Sequence, residues 1–222
     1  MSTVLVMGAS RGIGLEFVRQ YAQEGWRVLA TVRSDAGRAR VQALGAQALT
    51  VDVAQPASVS GLAWMLDGEK IDVAIYVAGM LLHADALAPP TQQDFDAVMH
   101  TNVLGAMQAL PQVAPLVADA RGVFAFLSTG MSLIGSVPGS DCWLYRTSKA
   151  ALNMAVAAAQ PDYPQAAMVL LDPGWVRTDM GGAAAPLTVE HSVRDMRKVL
   201  AHLTPQDKGR LLHHDGRQAT HW

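Results

Sequence analysis

Seven short runs of β-branched and apolar residues recur along the 222-residue chain: TVLVM, WRVLATV, AQALTV, DVAIYV, GVFAFL, AAMVLL and GRLLHH. Longer stretches with helical spacing separate most of them. In GIGLEFVRQYAQEG, Ile13, Phe17, Val18 and Tyr21 fall at i, i+4, i+5 and i+8 before Gly25 ends the pattern. PASVSGLAWML and the stretch from Thr91 to Val117 read as helical in the same way. Strand runs that are apolar throughout must be buried on both faces. A parallel sheet covered by helices on each side meets that demand. The sequence thus predicts an α/β chain, a doubly wound parallel sheet of about seven strands, with residues 1–222 as a single domain.

Composition narrows the class of partner. Half of the residues are hydrophobic and 16% are charged, enough apolar material for one well-buried core. A net charge of -2, with no run of Lys or Arg, argues against nucleic acid and against an anionic membrane surface, and so favours a small molecule. The lone cysteine, Cys142, excludes an internal disulfide and fits a reducing compartment. MSTVLVMGAS has no basic segment before its short apolar run, and no apolar stretch has the length of a membrane span. A cytoplasmic, soluble protein is expected.

The first strand runs into a glycine-rich turn, VLVMGASRGIG. Gly8 permits a tight turn, Gly12 lets backbone N–H groups approach a pyrophosphate, and Gly14 lets helix and strand pack closely. The pattern is G-x-x-x-G-x-G, and its place after the first strand of an α/β chain points to a dinucleotide. After the second strand, where a carboxylate would bind a ribose 2′-OH, LATVRS carries Arg33 instead, and Arg11 adds a cation inside the turn. These features favour NADP(H) over NAD(H), set against the plainer reading of two solvated arginines.

DCWLYRTSKAALNMAVAAAQ (141–160) places Tyr145 and Lys149 one helical turn apart on a shared face. The residues alone allow two readings, an amphipathic edge of the core or part of an active site. A phenol has an unperturbed pKa of about 10, and a neighbouring ammonium lowers it by favouring the phenolate. Cys142 is either a reactive thiol at a pocket lip or a small buried residue. His213, His214 and His221 lack the thiolate or carboxylate spacing of a metal site, and no metal is expected. GMSLIGSVPGS and TDMGGAAAPL read as long loops flanking the helix in sequence, and loops of that kind tend to be functional. Met80, Leu81, Leu82, Leu133, Ile134, Trp143 and Trp175 adjoin these elements and predict an apolar pocket.

With MGASRGIG at the start, Ala78-Gly79 after the fourth strand, TNVLG around Asn102, YRTSK at 145–149 and DPGWVRTDM from Asp172, the chain resembles the short-chain dehydrogenase/reductases. YRTSKAALNM, PGWVRTDMGG and APLTVEHSV resemble the C-signal-like carbonyl reductase branch. The resemblance implies a Rossmann fold and a nucleotide site made by Gly8, Ser10, Arg11, Gly12, Ile13 and Gly14, with Arg33 at the 2′-phosphate. It implies Asp52 and Val53 at the adenine, Ala78 and Gly79 against the cofactor, and Pro173, Gly174 and Thr178 at the nicotinamide carboxamide. Tyr145 would be the acid in carbonyl reduction or the base in alcohol oxidation, with Lys149 tuning it and Asn102 holding a water that links Lys149 to solvent.

A hydroxyl after the fifth strand completes the family pattern. Aligning LST with the family's ISS selects Thr129, sixteen positions before Tyr145, whereas the shorter spacing common elsewhere selects Ser132, thirteen before it. Two features depart from the family. YVAG stands where N-N-A-G is usual, so Tyr76 and Val77 replace two asparagines that brace the sheet. Pro161 and Pro164 shorten the helix after Lys149, which leaves homodimer and homotetramer both open. The resemblance implies an NADPH-dependent carbonyl reductase acting on a small apolar ketone or aldehyde. Its competitor is a nucleotide-binding signalling protein of the same fold with little turnover; the sugar-nucleotide epimerase relatives need a larger C-terminal substrate domain than this chain has.

Overall fold

The computed structural model describes residues 1–220 and 222. His221, one of the three histidines weighed above as metal ligands, lies outside the described residues. Each apolar run forms a strand: β1 (Thr3–Met7), β2 (Arg27–Val32), β3 (Gln47–Thr50), β4 (Val73–Tyr76), β5 (Val123–Leu127), β6 (Ala167–Asp172) and β7 (Leu211–His213). They form one sheet in the order β3-β2-β1-β4-β5-β6-β7, every pairing parallel. The chain winds outward from β1 to β3, returns to β4 and continues to β7. Between β1 and β4 the winding reverses, and at such a point the loops leave the carboxyl ends of the strands in opposite directions and open a crevice.

Alternate residues of each strand serve the two faces. Leu5, Leu29, Phe124 and Phe126 pack in the core under α6 (Gly105–Ala120) and α7 (Trp143–Ala159). Val4, Val6, Val28, Ile75 and Val169 face the other core, closed by Phe17, Val18 and Tyr21 of α1 (Gly12–Gln23) and by Val193, Met196 and Leu200 of α8 (Val189–Ala201). Each fully buried side chain of this size contributes about 1.5–3 kcal/mol, so burial on both faces, more than any polar contact, fixes the sheet. Among the described residues no helix is long and apolar enough to cross a membrane.

Two helical stretches differ from the sequence reading. PASVSGLAWML forms two single turns, α3 (Pro56–Val59) and α4 (Leu62–Met65). They part at Ser60-Gly61, where the Ser60 hydroxyl donates back to the Ala57 carbonyl at 2.8 Å and glycine disfavours helix. The stretch from Thr91 is α5 (Gln92–Met99), a π-helical turn (His100–Leu104) and then α6, with α2 (Asp35–Gln42) lying earlier in the chain. A π turn accommodates one extra residue, and here it contains Asn102.

Tyr76, read from the sequence as a lost brace, supports that turn. It is fully buried, stacks on Phe126 with ring centroids 6.1 Å apart, and donates its hydroxyl to the Thr101 carbonyl at 3.0 Å. Tyr76→Phe leaves this carbonyl without its donor. It should cost about 1 kcal/mol and lower Tm by about 2–4 °C in a thermal melt followed by circular dichroism. An unchanged Tm would show that the hydroxyl does not brace the turn.

Candidate active site

The site begins where β1 ends. Gly8 has φ +89°, its N–H donates to the Thr31 hydroxyl on β2 at 3.0 Å, and a Cβ there would fall 2.7 Å from the Ala78 nitrogen. The ends of β1 and β4 therefore meet at a residue that only glycine can fill. A Cβ on Gly14 would lie 2.2 Å from the Gly8 carbonyl oxygen, so α1 starts directly against the strand, as its sequence position predicts. Arg11 is the N-cap residue and makes no side-chain cap, which leaves the first-turn N–H groups available to an anionic ligand.

A cleft of about 910 Å³ follows the carboxyl ends of the strands. On the β2–β3 side it is lined by Arg33, Asp52 and Val53, and in the middle by Gly8, Ser10, Arg11, Gly12, Ile13, Ala78 and Gly79. Towards β5 and β6 it is lined by Tyr145, Lys149, Pro173 and Thr178. Gly14, Asn102, Thr129, Ser132 and Gly174 lie off its wall. The structure so brings together fourteen of the nineteen residues singled out from the sequence. The lining also includes Thr31, Arg40 and Ser128, which the sequence reading missed. Arg40 is one of two further arginines in SDAGRAR, and nothing in the sequence separates it from a solvated face of α2.

Arg11 does not stand free as a second cation. It forms an ion pair with Asp179 at 2.9 Å, with both side chains largely exposed, and so ties the glycine turn to the loop after β6. Arg33 and Arg40 form no ion pair among the described residues. The Asp52 carboxylate accepts the Ala54 N–H at 3.1 Å, which closes a tight turn at the end of β3.

Tyr145 and Lys149 are both buried on α7. The Tyr145 hydroxyl has no protein partner among the described residues, and the residue lines the cleft. The Lys149 ammonium donates to the Leu127 carbonyl at 2.8 Å and lies 5.8 Å from the centre of the Tyr145 ring. Asn102 Oδ1 and Lys149 Nζ each lie 3.4 Å from the place a Cβ of Gly79 would take. The Asn102 side chain is engaged on three bonds: Oδ1 accepts the Met80 N–H at 2.8 Å, and Nδ2 donates to the Met80 carbonyl and to the Ser148 hydroxyl, each at 2.9 Å. One lone pair on Oδ1 is left over for a water.

The hydroxyls after β5 differ in what they can still donate. Ser132 gives its proton to the Thr129 carbonyl at 2.6 Å and accepts from the Asn153 amide at 2.7 Å. Ser128 donates to the Asn153 side-chain oxygen at 2.6 Å. Thr129 accepts from the Met131 N–H at 3.2 Å, and among the described residues its own proton has no acceptor.

Burial sets the electrostatics of the pair. It pushes the Tyr145 phenol well above its usual value, with the charges of Asp172 and Cys142 adding to the effect. The sequence reading had Lys149 lowering it. That expectation is corrected: removal from water outweighs an ammonium aimed at the Leu127 carbonyl. Burial likewise pushes Lys149 down to about 8.

The other residues singled out have plainer roles. Cys142 is buried in a left-handed conformation with φ +54°, its sulfur 3.5 Å from His83 Nδ1, and burial pushes its thiol up. His213 pairs with Asp172 at 3.0 Å. Among the described residues no three His, Cys, Asp or Glu side chains are grouped to hold a metal.

The Lys149 shift has a sign that can be checked. Between about pH 8 and 10.5 the unfolded chain holds the proton that the folded chain has released, so stability rises with pH across that window. The cost of burying the charge is present in full below pH 8. In urea titrations, the stability of the wild type relative to Lys149→Met should be flat from pH 6 to 7.5 and then climb by up to about 1.4 kcal/mol per pH unit. A difference that stays flat to pH 10 would contradict the assignment.

Comparison with known proteins agrees with this geometry. The sequence model of the short chain dehydrogenase family matches residues 2–186. The 1-hydroxy-2-glutathionyl-2-methyl-3-butene dehydrogenase of Rhodococcus sp. (strain AD45) is 31% identical, over 97% of this chain and 98% of that protein. C-signal of Myxococcus xanthus is 36% identical, over 66% of this chain and 90% of that protein. Among solved structures, a short-chain dehydrogenase/reductase from Burkholderia multivorans with bound NADP is 32% identical with a TM-score of 0.88, covering 100% of this chain and 99% of that one. NADPH-bound carbonyl reductase from chicken fatty liver is 28% identical with a TM-score of 0.90, again covering 100% and 99%. From the glycine turn through the Tyr145–Lys149 helix to the loop after β6, the chain belongs to the short-chain dehydrogenase family, on the branch that resembles C-signal.

Proposed function

We propose that the chain is an NADPH-dependent oxidoreductase of the cytoplasm that reduces the carbonyl of a small apolar ketone or aldehyde. The observation that carries this reading is a buried Tyr145 phenol, without a hydrogen-bond partner among the described residues, beside the Lys149 ammonium and in the same cleft as the glycine turn. The NADP and NADPH bound in the two solved relatives support the cofactor.

The residues fit such a ligand. The cleft lies at the upper end of the size range of small-molecule sites, and the uncapped start of α1 offers N–H groups to a pyrophosphate. Arg33 would take the 2′-phosphate with Arg40 beside it. Asp52 and Val53 would face the adenine, Ala78 and Gly79 would allow close approach, and Pro173, Gly174 and Thr178 would hold the carboxamide. Two unpaired cations on the β2 side favour NADPH over NADH.

NADPH, when bound, would supply a hydride to the substrate carbonyl carbon. The carbonyl oxygen gains the electron pair of the C=O π bond, and Tyr145 donates its proton to that oxygen as the charge develops. High phenol basicity keeps this proton in place at neutral pH. Once it is given up, the phenolate needs a cation. Lys149, largely protonated at pH 7, supplies one, and two of its three N–H groups remain free to reach a ribose hydroxyl and a water. That water would rest on the spare lone pair of Asn102 Oδ1 and return a proton from solvent. Thr129, with a proton to give, would polarise the carbonyl; Ser132 would first have to release the Thr129 carbonyl.

Tyr145→Phe should lower the rate of NADPH oxidation with a panel of diketones and aldehydes by about 100- to 10,000-fold, leaving NADPH binding by fluorescence titration intact. An unaffected rate would sink the reading. Arg33→Ser should raise KM for NADPH about tenfold or more and leave KM for NADH unchanged. Equal effects on both cofactors would remove Arg33 from the 2′-phosphate.

A further inference from the structure

The face that carries Tyr145 and Lys149 continues for one more turn. Asn153 follows Lys149 by four residues, is 2% exposed, and is engaged on both ends of its amide. Its oxygen accepts from Ser128, which lines the cleft, and its nitrogen donates to Ser132. Ser132 passes the connection on to the Thr129 carbonyl. One turn earlier, Lys149 holds the Leu127 carbonyl. Residues 127 to 132 are thus gripped from a single face of α7, at the carbonyl of residue 127 and at the side chains of residues 128 and 132.

We infer that Asn153 is a positioning residue for carbonyl reduction: it sets the distance between the proton donor on α7 and the hydroxyl of Thr129 at the end of β5. The inference rests on the reading that Thr129 polarises the substrate carbonyl. The two hydroxyl-bearing segments belong to different elements, and their separation would otherwise depend on a loop. A glycine stands directly after Thr129, and the next residues, Gly130–Ser132, form only a short 3-10 turn. Without the amide, Ser128 and Ser132 lose their shared partner. The Thr129 carbonyl still accepts the Ser132 N–H at 3.1 Å, but the Ser132 hydroxyl that also donates to it is no longer oriented by a third group. Misplacement of a reacting group by about 1 Å can cost on the order of 100-fold in rate.

A purely structural role for Asn153 predicts something else, namely a loss of stability that lowers all functions together. Asn153→Ala and Asn153→Asp separate the two. The aspartate has the same shape and still accepts from Ser128, but it has no N–H for Ser132 and buries an acid, so a thermal melt of both variants separates a folding loss from a loss of rate. In Asn153→Ala, kcat should fall about 10- to 100-fold with KM for NADPH unchanged, and Asn153→Asp should fall between it and the wild type. In a Thr129→Ala background, either substitution should lower kcat no further, because the group being positioned is already gone. A loss of the same size in both backgrounds, a matching rise in KM for NADPH, or wild-type kcat in Asn153→Asp would each overturn the inference.

A readout that needs no turnover separates this inference from the proposed reaction. Hydrogen exchange followed by mass spectrometry should show the amides of residues 131–133 exchanging at least tenfold faster in both variants, with the peptides of β1 and α1 unchanged. Unchanged exchange at 131–133, or faster exchange everywhere, would overturn it. A wild type that turns over no carbonyl, with the local loosening present in both variants, would sink the reaction and leave the clamp standing.

Discussion

An ammonium buried at the carboxyl edge of a parallel sheet is costly, and here the last carbonyl of β5 offsets that cost only in part. The Lys149–Leu127 contact fixes how α7 lies over the sheet. The helical period then puts Tyr145 one turn before it and Asn153 one turn after it on the same face. Phenol, ammonium and carboxamide therefore share one rigid element. Because the contact is to a backbone carbonyl, it ties the helix to the sheet without using a second side chain.

The rest of the site assembles around that helix through backbone geometry. Gly8 lets the ends of β1 and β4 close together, the π turn presents Asn102 to the backbone of Met80, and Tyr76 supports the turn from below. Burial acts on these groups in one direction: it disfavours charge. The phenol keeps its proton and the lysine holds its proton less tightly. A phenol pushed up in this way is the weaker acid, so giving up its proton would depend on the ammonium that stands beside the phenolate.

Much of this was legible in the sequence because it depends on local pattern. Seven apolar runs became seven strands, and the spacing of Gly8, Gly12 and Gly14 reports backbone demands that a single residue type meets. Tyr145 and Lys149 were legible because four residues make one turn. What depends on partners distant in the chain was not. Arg11 reads as a free cation until Asp179, far along the chain, is folded onto it. The π turn adds one residue to a helix without disturbing the apolar pattern on either side. Asn153 looks like one polar residue in an apolar helix, and its two serine partners come from the loop after β5. The direction of the Tyr145 shift was misjudged for the same reason: a sequence shows the neighbouring lysine but not the loss of water.

The central claim is that a hydride passes from NADPH to a carbonyl carbon within this cleft. It is tested most directly by incubating the protein with NADPH deuterated at the transferable position of the nicotinamide C4 and a panel of apolar ketones and aldehydes, then weighing the alcohols formed. The account predicts one deuterium on the carbinol carbon of each product. Alcohol formed without deuterium from either C4 face, or no alcohol from any member of the panel, would contradict it.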